Sequence, residues 1–179
     1  MKNIIMLKKI ALATTLCAGI SGVSFYANAA EPSAEVTLQG VITNSNCVLT
    51  VNGGKSVLNI GTFKSSEFTA DTKVGSIDMP VTLTDCNPDE TGELIIQGIT
   101  SIANNNKNIF VNSDTDTVGF MVAKSDNTTI LSANEGTTVA IATDATSGDY
   151  AFKVGMATTD MQPKPGAYSA PVLVAYIVN

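Results

Sequence analysis

From residue 31 onward the chain never sustains a helical stripe. Short runs of alternating or β-branched residues recur instead, separated by clusters of Gly, Asn, Asp and Pro. The runs are 36–42, 47–51, 57–60, 77–84, 94–99, 118–123, 137–141, 150–157 and 167–178. Turns are marked by Asn52-Gly53-Gly54, Asn87-Pro88-Asp89, Asn104-Asn105-Asn106, Asn134-Glu135-Gly136 and Pro163-Lys164-Pro165-Gly166. Strands of this length and spacing pack as an antiparallel sandwich or close as a barrel. The 179 residues hold no internal repeat and no linker long enough to separate two domains.

The start of the chain obeys a different rule. Lys2, Lys8 and Lys9 precede an uncharged, moderately apolar run over 10–26 that closes on Ala27-Asn28-Ala29. This reads as a secretory signal over 1–29, cleaved after Ala29. A spanning helix needs about 20 apolar residues, and this run is shorter and diluted by Thr and Ser. Cys17 follows the bulky Leu16, where a lipidation site wants a small residue. The remaining chain carries seven lysines against sixteen acids, a net charge of −9. It also keeps two cysteines, Cys47 and Cys86, in a compartment where disulfides persist. One bridge between them is expected, closing a loop of about 40 residues for roughly 4 kcal/mol of chain-entropy stabilisation. Their spacing is not C-x-x-C, and neither a histidine nor a third cysteine remains to build a metal site.

Absent residue types narrow the function. With no histidine there is no imidazole relay, no imidazole ligand and no proton shuttle near neutral pH. With no arginine there is no bidentate fork for phosphate. An acidic chain repels a phosphate backbone, so nucleic acid is not a partner. The acid pairs Asp114 with Asp116 and Asp89 with Glu90 sit in turn-like, polar surroundings with nothing apolar to separate their pKa values. They read as solvated surface charge, so no catalytic residue and no cofactor is assigned. Ser113-Asp114-Thr115-Asp116 lacks the Gly and bidentate Glu of a calcium loop. Asn127-Thr128-Thr129 is a formal glycosylation sequon whose meaning depends on the secreting organism.

Two stripes lie at opposite ends. From Gly166 the last fourteen residues place Tyr168, Ala170, Val172, Val174, Tyr176 and Val178 on one face of an extended strand. At about 3.3 Å per residue the stripe would run some 33 Å. The other face is also largely apolar, and Pro171, which cannot donate to a ladder, favours a sheet edge. A long apolar edge is an aggregation hazard unless something covers it. Near the mature N-terminus, Val36, Leu38, Gly40 and Ile42 make a second alternating stripe. An ordinary first strand is one reading; the mid-strand Gly40 instead suggests a place where another surface comes close.

Together these residues resemble the pilins of chaperone/usher fimbriae, of the type 1 and P pilus kind. The likeness covers the mature chain. It rests on Val36-Thr37-Leu38-Gln39-Gly40 with Cys47 seven residues beyond the glycine, and on Val57-Leu58-Asn59-Ile60-Gly61. It continues through Met79-Pro80-Val81-Thr82-Leu83-Thr84-Asp85-Cys86, Thr117-Val118-Gly119-Phe120-Met121-Val122 and the Gly166 motif. The resemblance implies an all-β, incomplete immunoglobulin-like sandwich completed by a donor strand: extension 30–46, pilin domain 47–179. Donor positions would be Val36, Leu38, Gly40 and Ile42. The acceptor and chaperone-binding strand would be Gly166, Tyr168, Ala170, Val172, Val174, Tyr176 and Val178. Implied partners are identical or related subunits, a periplasmic chaperone, an outer-membrane usher and a host-surface receptor. The product would be a fimbrium on the bacterial surface, reached through the periplasm. The family usually carries an aromatic penultimate residue; here that place holds Val178, with Tyr176 two earlier on the same face.

Two other readings stand beside it. A small outer-membrane barrel would need aromatic girdles and strands of 9 to 11 residues, whereas the aromatics here are scattered and most runs are shorter. Within the family, donor and acceptor stripes in one chain point to a shaft subunit, and a minor adaptor that binds receptor directly has the same two elements.

Overall fold

The computed structural model describes residues 38–178. The expected signal 1–29, Val36 and Asn179 lie outside the described residues. Eight strands run through this part of the chain: β1 (Val48–Val51), β2 (Val74–Thr84), β3 (Thr91–Gly98), β4 (Val118–Ala123), β5 (Ile130–Leu131), β6 (Gly136–Ala140), β7 (Gly148–Thr158) and β8 (Val172–Val178). They divide into a five-stranded sheet of order β1-β2-β7-β4-β5 and a three-stranded sheet of order β6-β3-β8, and every ladder is antiparallel. The all-β sandwich expected from the sequence is therefore what forms, as two sheets and not one closed barrel.

Period-two alternation produces the inner faces. In β2, Met79, Val81 and Leu83 are buried while the alternate residues Asp78 and Pro80 are exposed and Thr82 is half-buried. Pro80 lies one residue beyond the stretch that β1 pairs, Val81 to Thr84, so its missing N–H is tolerated where the β1 ladder has stopped. From the facing sheet Leu94 and Ile96 of β3 and Val174 and Tyr176 of β8 enter the same core, with Phe152 of β7 and Val122 of β4 opposite. Each such side chain, fully buried, contributes about 1.5–3 kcal/mol.

Phe110 belongs to no strand, yet it is fully buried. Its backbone exchanges two 2.8 Å hydrogen bonds with Phe120, which straps segment 109–111 beside β4. A β-carbon at Gly119 would collide with the Phe110 carbonyl, so the close approach requires glycine there. Ile109 and Val111 form a second small core with Met121 and Ala157. Gly75, at φ +74°, sits where the β2–β7 register shifts between Val74 and Ile77, the left-handed residue of an irregularity in the ladder. Cys47 and Cys86 are joined by a disulfide that ties the start of β1 to the chain just past β2.

Three expected runs differ. The run 57–60 joins no ladder among the described residues and instead walls a cleft. The described part of 36–42 makes no turn or bend and lies outside both sheets. The C-terminal strand begins at Val172 and not at Ala167, because β3, its one partner among the described residues, ends at Gly98 opposite Val172.

Candidate functional site

β8 forms one border of its sheet: among the described residues it pairs with β3 alone, leaving its other side without a ladder. Its inward face carries Val172, Val174, Tyr176 and Val178, all in or against the core, with Ala170 packed on the same cluster just before the strand. The paired stretch spans about 20 Å at 3.3 Å per residue, shorter than the stripe suggested by sequence. The outward face is mixed: Leu173 is 47% exposed, Ala175 buried and Ile177 half-buried.

Gly166 and Tyr168 fall outside the strand, a correction to the expected acceptor stripe. They line a cleft of about 590 Å³ at the end of the core nearest the start of β8. Its apolar lining comes from Phe63, Ile60, Val57 and the cross-strand pair Phe120 and Met156. Phe63 is braced edge-to-face by Phe68 at 6.2 Å between centroids. The loop on the far side is held by the Tyr168 hydroxyl donating to the Lys164 carbonyl at 2.6 Å, and by Ser65 Oγ donating to the Pro163 carbonyl at 2.6 Å. Several of these apolar side chains, Phe63, Phe120 and Met156 among them, are only partly covered.

At the opposite end of β8, Tyr176 packs over Gly92 and its hydroxyl has no hydrogen-bond partner among the described residues. Burial holds this phenol above its ordinary pKa, and the charge of Glu90 adds to the effect. Glu90 itself corrects the sequence reading. Asp89 is exposed as expected, but Glu90 is only 9% exposed. Its Oε1 accepts from Ser45 Oγ, its Oε2 accepts from Asn87 Nδ2 at 3.1 Å, and Cys47 Sγ lies 3.0 Å from Oε1. Cys47, Cys86 and Glu90 thus converge, but the sulfurs are bonded to each other and offer no thiolate to a metal.

The described part of the N-terminal stripe is displayed. Leu38 is 90% and Ile42 94% exposed, and a β-carbon at Gly40 would meet nothing within 4 Å. The other singled-out residues serve local structure. Asp116 Oδ2 accepts from the Ser113 N–H at 2.9 Å, closing a turn near the exposed Asp114. Asn127 Oδ1 accepts from Lys73 Nζ and Ser76 Oγ, each at 2.8 Å.

No protein-family model matches the sequence, and no curated protein matches it. Solved structures do. A chain from the structure of a chaperone–usher pilus, determined to explain rod uncoiling, superposes with a TM-score of 0.58 at 13% identity, covering 84% of this chain and 98% of that one. The P pilus rod subunit PapA gives 0.58 at 12% identity, over 74% of this chain and 99% of that one. A Burkholderia pseudomallei antigen and type I fimbria protein gives 0.44 at 12% identity, over 74% and 90%. The two-sheet architecture is therefore shared with chaperone–usher pilus subunits, and at these identities the likeness is one of fold.

Proposed function

We propose that this chain is a structural subunit of a surface fimbria and polymerises by donor-strand exchange. The extension 30–46 of one copy lies along the free side of β8 in the next, with Val36, Leu38, Gly40 and Ile42 turned into its groove. The observation that carries the reading is that one chain holds both halves of an unmade contact. Leu38 and Ile42 stand in solvent on a segment outside any ladder, and β8 has, among the described residues, an unpaired side, with an apolar cleft lined by the loop that leads into it. Strand addition of this kind draws affinity from backbone ladder bonds and specificity from alternate side-chain pockets; pilin complementation is one of its standard instances.

An incoming strand that follows the antiparallel rule of every other ladder in the fold brings Ile42 to the cleft and Val36 toward Val178. Each apolar side chain moved from water into the groove contributes about 1.5–3 kcal/mol. The uncovered groove before assembly is a hazard that calls for a helper. A periplasmic chaperone covering β8, followed by usher delivery to the cell surface, fits that need. The shared fold with pilus subunits supports the assignment, and the presence of both halves supports a position inside the fibre, with adhesion following from the fibre and from any host-surface receptor it meets.

Removing residues 30–42 tests it. The shortened subunit should still accept a strand but never donate one, so it should cap fibres and be absent from their interior by immunolabelled electron microscopy. Labelling along fibre interiors would overturn the donor assignment.

A further inference from the structure

The segment ahead of Cys47 has two unlike sides. Val41, Ser45 and Cys47 are half-buried, whereas Leu38, Gly40, Ile42, Asn44 and Asn46 face solvent. Gln39 and Thr43 are exposed as well, although Gln39 Nε2 lies 3.5 Å from the Gly98 carbonyl. Every residue of 38–47 that is half-buried against the domain is thus odd-numbered, and all the even-numbered ones, including the apolar stripe, are exposed.

The cause lies at the root of the segment. Ser45 Oγ donates to the buried Glu90 carboxylate and accepts from the Cys47 N–H at 2.9 Å, while Asn46 Nδ2 reaches Asn87 Oδ1 at 3.4 Å. Cys47 is covalently fixed to Cys86. Because side chains alternate along a chain that makes no turn, holding Ser45 inward sets the phase of the residues before it. The path matters too. Residue 39 lies beside Gly98 and residue 45 beside Glu90, so the segment runs antiparallel to β3 and hence parallel to β8. It passes along its own sheet, in the wrong phase to fill its own groove.

We propose that the Ser45–Glu90 bond is a phase lock that keeps a subunit from capping itself. This rests on the donor-strand reading above. Held in this phase, the odd-numbered side is Gln39, Val41, Thr43 and Ser45, three of them polar, and burying those without partners is unfavourable. To insert Leu38 and Ile42 into its own groove, the chain must slip by one residue and break a charge-assisted hydrogen bond. A second copy carries no such restraint relative to this groove. Ser45 and Glu90 are positioning residues: they touch no donor, but they decide whose donor enters.

Parity supplies the test. Deleting Asn44 leaves the lock intact but moves the stripe onto the inward side, and deleting Thr43 together with Asn44 moves it back. In the full secreted chain as a monomer, the single deletion should slow amide exchange over 36–42 by about tenfold or more, against the unprotected rates of a segment outside any ladder. It should also reduce capture of a synthetic peptide spanning 34–44. The double deletion should behave as wild type on both measures. Ser45→Ala, which frees the root without changing length, should show partial protection. Equal peptide capture by wild type and by the single deletion, with no gain in protection, would overturn the phase lock alone. Failure of the wild-type monomer to capture the peptide at all would overturn the donor-strand reading on which it rests.

Discussion

The Tyr176 ring lies directly over Gly92, so that a β-carbon at position 92 would sit 2.6 Å from the ring's Cζ and 2.5 Å from the Ile177 carbonyl oxygen. Gly92 pairs with Val178 at the end of the β3–β8 ladder. The glycine is thus the space that lets an aromatic side chain close the core at the C-terminal end of the candidate groove. Gly92→Ala should cost about 1–3 kcal/mol through overpacking, since the obstructing atoms include backbone and cannot swing aside. The loss would appear as a lower urea midpoint for the monomer. An unchanged midpoint would mean that the ring moves freely.

The Cys47–Cys86 bridge closes a 39-residue separation and fixes the root of the N-terminal extension. Its removal by Cys86→Ser with Cys47→Ser should destabilise the domain by about 2–5 kcal/mol. The extension should also be freed, visible as faster exchange of the amides around Ser45. A thermal midpoint indifferent to reductant would contradict this.

Asp126 holds the turn between β4 and β5. Its carboxylate accepts from Thr129 Oγ1 at 2.6 Å, from the Thr129 N–H at 2.9 Å and from the Thr128 N–H at 2.8 Å, which brings its pKa down to about 2. A carboxyl whose folded pKa lies below its unfolded value of about 3.9 stabilises the fold above that value. The contribution fades as pH falls from about 4 toward 2. Wild type should therefore exceed Asp126→Ala in urea midpoint at pH 6, and the two should converge near pH 2. A difference independent of pH would assign the effect to packing and not to the ionised carboxylate.

Legibility from sequence followed the locality of the cause. β4, residues Val118–Ala123, matches its sequence run to the residue because turn residues bound it on both sides and a strand lies beside its whole length. The C-terminal run was overextended because alternation continues through Tyr168 and Ala170, yet a strand needs a partner, and β3 stops at Gly98. The two-residue β5 is too short to leave a periodic signal. Glu90 follows Pro88 and Asp89 and so resembles turn charge; what buries it is Ser45, 45 residues earlier, together with the disulfide. The cleft was missed as a cleft for the same reason. Its walls, 57–63 and 163–168, are about a hundred residues apart and meet only in the fold. The alternation of Leu38, Gly40 and Ile42 was legible, but that it faces solvent depends on a contact made at Ser45.

Gly40 separates folding from assembly. In the monomer its α-carbon is open to solvent, and a side chain there would touch nothing within 4 Å. Gly40→Leu should leave the monomer's urea midpoint within about 0.5 kcal/mol of wild type, the usual range for a surface change away from special features. In the proposed fibre the same position faces the core of the next subunit, between Leu38 and Ile42, and the added side chain overpacks it by about 1–3 kcal/mol. Exchange onto a chaperone-bound subunit should then slow by about tenfold or more, each 1.4 kcal/mol being a factor of ten. Ile42→Asp should fail by a different route, placing a charge against Phe63 and Phe120 in the cleft, again with an unchanged monomer. If Gly40→Leu assembles at the wild-type rate while Ile42→Asp does not, the strand enters the groove with Gly40 outside it. The register proposed for Val36 to Ile42 would then have to shift.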